Sequence, residues 1–194
     1  MDIERPKSKL LIPPDATRVF KGKIFDVYQW EQELFNGSKA VFEKLKRRDS
    51  VNVFPITDDG KIIVTEQEQP AHVPFWGSIG GGREDEESLL ECAKRELLEE
   101  SGYTAEKFIL FSATQPSSII DWAIYSFVAK GCKKILDPAP DAGEKITLHN
   151  LSLDEFIELA RDPKFRDLEV SLNIFRAIAT KDVYETLARL FAPE

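Results

Sequence analysis

Apolar positions along this chain recur first at every second residue and later at every third or fourth. From Val19 to Leu45 the texture is strand-like: VFKGKIFDVYQWEQELF is rich in β-branched and aromatic residues, and Phe35–Ser38 (FNGS) is a strong hairpin turn signal. KAVFEKLKRR could form a helical turn, but the hairpin makes it the return strand. VNVFP (51–55) and KIIVT (61–65) flank Asp58-Asp59-Gly60 and read as a second hairpin. EQEQPAHVPFWGSIGGG is loop with a short strand. The period then changes: Leu89, Ala93 and Leu97, with Leu90 and Leu98 beside them, form a helical stripe between Ser88 and Glu100. Phe108–Thr114 and Asp121–Ala129 return to strand texture, the second alternating at Trp122, Ile124, Ser126 and Val128. KILDPAPDAGEK is a loop, ITLHNLS a strand, LDEFIELARD a helix, and Asn173 to Ala192 is helically periodic. Residues 1–17 are Pro-rich and polar, an extended or mobile lead.

Hairpins mixed with helices predict an α+β fold: a mixed β-sheet flanked by helices, preceded by a small N-terminal antiparallel β element. The division expected is 1–47 for the β element and 48–194 for the main domain.

Composition narrows the function classes. The chain has 194 residues, 42% of them hydrophobic and 31% charged, which suits a soluble globular core. Its net charge of −8 argues against nucleic acid or an anionic membrane as partner. An anionic ligand would then need local cations or a bound metal. The two cysteines, Cys92 and Cys132, make neither a disulfide framework nor a zinc pattern, and fit a reducing cytoplasm. MDIERPKSKLLIPPDA has no apolar run long enough for a signal peptide or a membrane span.

One stretch resists that picture, GGGREDEESLLECAKRELLEESGY (Gly80–Tyr103). Ser88 and Glu91 form a capping-box pattern, and Gly102 is placed to end the helix. Glu96 and Glu100 are four apart and share a face; Glu99 flanks them, at the helix end where the macrodipole disfavours anions. Arg95 can pair with Glu91 or Glu99. Two readings are open: a solvated acidic face, or a site where a hard divalent cation turns repulsion into coordination.

The stretch resembles the Nudix box, G-x5-E-x7-R-E-U-x-E-E-x-G-U, where U is bulky and apolar. It matches at Gly81, Glu87, Arg95, Glu96, Leu97, Glu99, Glu100 and Gly102, with Tyr103 a mild departure at the last apolar position. The resemblance extends over most of residues 20–180, towards the ADP-ribose pyrophosphatase and nucleoside diphosphate sugar branch. It implies an α/β/α Nudix sandwich, a typically homodimeric assembly through the N-terminal element, and Mg²⁺-dependent (or Mn²⁺-dependent) hydrolysis of a nucleoside diphosphate linked to a second group. By the same resemblance Gly80, Glu96, Glu99 and Glu100 hold metal. Arg95 orients Glu99, Glu87 ties loop to helix, and Glu144 supplies a late-loop ligand or general base, with Asp141 as its alternate.

Substrate-side expectations follow from both sources. Phe25, Tyr28 and Trp30 are aromatics that the resemblance places against a base, and each could equally be core packing. Arg83 follows the glycines and is the first choice for the phosphates, before Lys44, Lys46, Arg47 and Arg48. Trp122 is a sugar or base platform, or a core tryptophan of an alternating strand. Three positions depart from the branch: Ile79 where proline is frequent, Gln69 where an arginine is frequent, and Gln115-Pro116-Ser117-Ser118 in the loop after the box. Another nucleotide, such as NADH or a dinucleoside polyphosphate, therefore stands beside ADP-ribose as substrate. A non-catalytic nucleotide sensor is disfavoured by the intact acids.

Overall fold

A computed structural model describes residues 3–140 and 142–193. Asp141 lies outside the described residues. Thr17–Lys21 (β1), Asp26–Glu33 (β2) and Lys39–Lys46 (β3) form the antiparallel N-terminal sheet, with the Asn36-Gly37 turn between β2 and β3. The core is a mixed sheet in the order β7-β4-β11-β9, built from Ile79–Gly82, Ser50–Pro55, Ile124–Lys130 and Lys107–Thr114. Strand β11 runs parallel to β4 and antiparallel to β9. A second sheet, β13-β5-β6, joins Lys145–Leu151, Ile62–Glu68 and Phe75–Gly77. Between these lie the helix α1 (Leu89–Ser101) and three short strands: Tyr103–Thr104 (β8), Ile120–Asp121 (β10) and Lys133–Lys134 (β12). Leu153–Leu159 (α2), Leu168–Ile178 (α3) and Lys181–Phe191 (α4) follow.

Alternation along the central strands sends side chains to two layers. Val51, Val53, Tyr125 and Phe127 pack with Cys92, Ala93 and Leu97 of α1. Phe54, Val64 and Val128 pack with Phe156, Ile174 and Phe191 of the later helices. The result is the helix–sheet–helix sandwich that the resemblance implies.

Four local expectations change. The turn at 57–60 forms, with the Gly60 N–H donating to the Thr57 carbonyl at 2.9 Å, but its strands make one bridge, Ile56–Ile62, and then part into different sheets. Next to the turn, residues 53–56 and 62–64 are apolar on two faces and buried, so each strand takes an interior place and partners of its own. The strand expected over 121–129 breaks at Trp122-Ala123: β10 pairs with β3, and β11 begins at Ile124. The C-terminal periodicity belongs to two helices that part at Ala179-Thr180. The N-terminal lead is tied down. Arg5 grips Asp49 at 2.8 and 2.9 Å and reaches Asp121 at 3.0 Å, while Ser8 and the Leu10 carbonyl hold the buried Lys44 ammonium.

Candidate active site

Helix α1 is bounded by its own sequence. Ser88 accepts the Glu91 N–H and the Glu91 carboxylate accepts the Ser88 N–H; Gly102, at φ 74°, ends the helix with its N–H on the Leu98 carbonyl. Its buried line is not purely apolar. Cys92, Glu96 and Glu100 follow at four-residue spacing, and the two carboxylates are only 8% and 5% exposed. A solvated acidic face is thereby excluded for this pair, while Glu99 stays exposed.

Glycines bring β7 against these acids. The Gly80 N–H donates to Glu100 Oε2 at 3.0 Å. A Cβ at Gly80 would lie 2.1 Å from the Val51 carbonyl oxygen, and one at Gly81 would lie 2.4 Å from Glu96 Oε1. Burial pushes the Glu100 carboxyl up to about 8 against the pull of the Gly80 N–H, and Glu96, Glu144 and Glu99 add repulsion. Glu96 is raised as well: burial outweighs the Arg95 guanidinium beside it.

Arg95 is the local counterion. It donates to Glu87 at 2.9 and 3.2 Å, to Glu96 at 2.8 Å, to Glu99 at 3.1 Å and to the Gly82 carbonyl at 3.2 Å. Its hydrogen bonds hold the Glu87 carboxyl below the ordinary range, and Glu87 also accepts the Glu84 N–H. Among the described residues no three acid, His or Cys side chains yet converge as metal ligands. The donor chemistry nonetheless suits a hard cation. Two buried carboxylates with raised proton affinity, a third acid at their rim and a close glycine backbone are all-oxygen ligands. Glu144 belongs to the same electrostatic group, since it raises Glu100, and it accepts Gln69 Nε2 at 3.0 Å.

A cleft of about 440 Å³, large enough for a small ligand, opens beside the glycines and is lined by Asn52, Gly80, Gly81, Trp122, Arg166 and Glu169 among others. Trp122 is therefore at the cleft and not within an alternating strand; its Nε1 donates to Ser50 Oγ at 2.9 Å. The Arg47 guanidinium lies 4.5 Å from the Trp122 ring and 5.6 Å from Phe25, and its buried Nε has no hydrogen-bond partner among the described residues. Arg83 and Tyr28 are elsewhere. Arg83 donates to the Glu87 carbonyl and lines a separate depression with Ser88, Lys94 and Phe108; Tyr28 faces the N-terminal lead near Lys46. Trp30 is buried against Phe42, and Arg48 pairs with Asp85.

Sequence reasoning missed the far wall of the cleft. Asn52 Nδ2 donates to Glu169 at 3.0 Å and Asp167 at 3.3 Å, and Asp167 accepts the Ser78 N–H at 2.7 Å. Burial raises both carboxyls, Glu169 to about 7. Asp167 lies ahead of the helical periodicity expected from Asn173, and although it immediately precedes α3 its side chain makes no cap hydrogen bond, so no local pattern marks it.

Fold and site together define an α/β/α protein that presents buried carboxylates from a glycine loop and the following helix. A family model of the NUDIX domain matches residues 46–170. The chain is 30% identical over 171 residues to an ADP-ribose pyrophosphatase of Bacillus subtilis (strain 168), covering 87% of this chain and 83% of the relative. It is also 30% identical over 154 residues to a methanol dehydrogenase activator of Bacillus methanolicus, covering 77% and 83%. A solved structure of an ADP compounds hydrolase superposes with a TM-score of 0.69 at 24% identity, covering 88% of this chain and 95% of that one. The chain belongs to the Nudix family. No helix among the described residues is long and apolar enough to cross a membrane.

Proposed function

We propose that this chain hydrolyses the pyrophosphate bond of ADP-ribose or a related nucleoside diphosphate sugar, giving a nucleoside monophosphate and a sugar phosphate. The observation that carries this reading is the buried Glu96–Glu100 pair under the Gly80-Gly81 strand, beside a ligand-sized cleft. Glu96, Glu99, Glu100 and the Gly80 backbone are the groups that would hold Mg²⁺ or Mn²⁺. Such a cation neutralises pyrophosphate charge and makes water more acidic.

Water adds its oxygen to one phosphorus, the bridging P–O bond breaks, and the bridging oxygen leaves with the other phosphate. Glu144, close enough to Glu100 to repel its charge and held by Gln69, is the group assigned to take the water's proton. Arg95 fixes Glu96 and Glu99 and so acts as a positioning residue. Trp122, stiffened by Arg47 and Ser50, is a platform for a ring of the substrate. Arg83 is kept for the phosphates, with Arg47, stacked on Trp122, as a further cation beside the platform, and Tyr28 is the residue that an assembly of two chains would bring to substrate.

That assembly is a homodimer through the N-terminal sheet, where Val19, Phe20, Ile24 and Val41 are exposed. Light scattering should give twice the mass of one chain; a single-chain mass would exclude it. The buried free thiols Cys92 and Cys132 suit the cytoplasm as its compartment. The catalytic reading is tested on a panel of ADP-ribose, ADP-glucose, GDP-mannose, UDP-glucose, NADH and a dinucleoside polyphosphate with Mg²⁺. ADP-ribose or a nucleotide sugar should turn over fastest, and no turnover anywhere would refute hydrolysis. In the same assay Glu144→Gln should lose about 10²-fold in kcat, the usual scale for a general base; a normal rate would remove Glu144 from that role.

A further inference from the structure

The cleft is lined by acids and neutral groups, with one cation among its described lining residues, Arg166. Arg166 sits two residues before α3 and is held in place by groups that do not neutralise it. Its guanidinium carbon lies 3.6 Å from the centroid of the Phe75 ring, its Nη2 is 3.0 Å from His72 Nδ1, and its backbone N–H donates to the Trp76 carbonyl at 2.9 Å. Among the described residues it forms no ion pair, although Asp167 and Glu169 are its near neighbours in sequence. Those acids turn to Asn52 and the Ser78 N–H instead.

A guanidinium stacked on an aromatic face keeps its N–H fork available at its edges, and that planar fork matches phosphate oxygens. The loop that supplies His72 begins at Gln69, whose side-chain amide is occupied with Glu144. The cation that the cleft's described lining offers an anionic ligand therefore comes from the segment before α3.

We propose that Arg166 is a specificity-determining residue that receives a phosphate of the substrate, with His72 and Phe75 as the residues that position it. This rests on the cleft being the substrate site of the proposed hydrolase. An exposed arginine that only pins the loop 69–74 to the start of α3 would predict a different outcome: lower stability with unchanged substrate affinity.

The test compares wild type with Arg166→Gln, Arg166→Lys and His72→Ala on ADP-ribose with Mg²⁺. Arg166→Gln should raise KM by about 10- to 100-fold, the scale of a lost charge-assisted hydrogen bond, with kcat within about 3-fold. The salt dependence of kcat/KM should flatten, because one cation facing an anionic ligand is gone. Arg166→Lys keeps the charge without the stacked fork and should fall between. His72→Ala should raise KM less than Arg166→Gln. Product inhibition by AMP and by ribose 5-phosphate then reads which half is held: a weakened inhibition constant for either supports the proposal and names the half. Unchanged KM and unchanged inhibition by both products would overturn it. Calorimetric binding of ADP-ribose separates the two readings. If the wild type binds but never turns over, an affinity that depends on Arg166 upholds this residue and refutes hydrolysis alone; an equal affinity in Arg166→Gln refutes the residue.

Discussion

Glu100→Gln should lose at least about 10³-fold in kcat at saturating Mg²⁺, the several kcal/mol that a bound cation supplies to a developing charge, while the fold survives and the metal-free protein becomes more stable. Both effects have one cause. The carboxylate is 5% exposed and its surroundings include three further acids, so ionising it in the absence of a cation is unfavourable. Glutamine keeps an oxygen for the Gly80 N–H and removes the charge. A variant that turned over at the wild-type rate would detach Glu100 from the reaction.

The sign of the pH effect follows from the direction of the shift. The Glu100 carboxyl is raised from 4.5 to about 8, so folding favours its protonated form. The stability it contributes is complete below pH 4.5 and is lost as pH climbs through about 8. Metal-free wild type should therefore lose thermal stability between pH 5 and 8, relative to Glu100→Gln, by on the order of 2–3 kcal/mol at neutral pH. Mg²⁺ binds the ionised form, so the rise in Tm on adding it should be larger at pH 8 than at pH 5.5, and small at both in the variant. Parallel pH profiles for the two metal-free proteins would remove burial of Glu100 as the cause.

What could be read from the chain and what could not divides along sequence distance. The caps of α1, the FNGS turn and the carboxylate spacing are local, each fixed by residues within a turn or two of one another, and each is found where the pattern puts it. The burial of Glu96 and Glu100 is less local. The 3.6-residue period places them beside Ala93 and Leu97, but only the approach of Gly80 and Gly81 decides that this side of the helix end is covered. Pairings over longer distances were not legible. β4 and β5 carry a good turn between them and still separate, because two strands buried on both faces are each claimed by other partners. Trp122 fits an alternating pattern and yet sits at a strand break. Arg166, Asp167 and Glu169 meet Phe75, Ser78 and Asn52 from some ninety to a hundred and twenty residues away, and no spacing rule connects them.

The two box-proximal glycines offer a way to separate fold from chemistry with one kind of substitution. Gly80→Ala would place a Cβ 2.1 Å from the Val51 carbonyl oxygen and 3.0 Å from its carbon, both backbone atoms of the central strand β4. Neither strand can yield without breaking the Asn52–Gly80 register, so the expected cost is about 3 kcal/mol or more, a Tm lower by roughly 6–12 °C for a chain of this size. Gly81→Ala meets something different. Its Cβ would lie 2.4 Å from Glu96 Oε1 and 2.7 Å from Cδ, the movable end of a side chain. Glu96 can swing aside, so stability should change by less than about 1 kcal/mol, whereas displacing a reacting-site carboxylate by an ångström costs about 10²-fold in rate. Thermal melts and kcat on the best panel substrate, measured on both variants, give the comparison. Gly80→Ala should fail chiefly in the melt and Gly81→Ala chiefly in the assay. If Gly81→Ala melted as low as Gly80→Ala, or turned over normally, Glu96 would be a packing group and not part of the site.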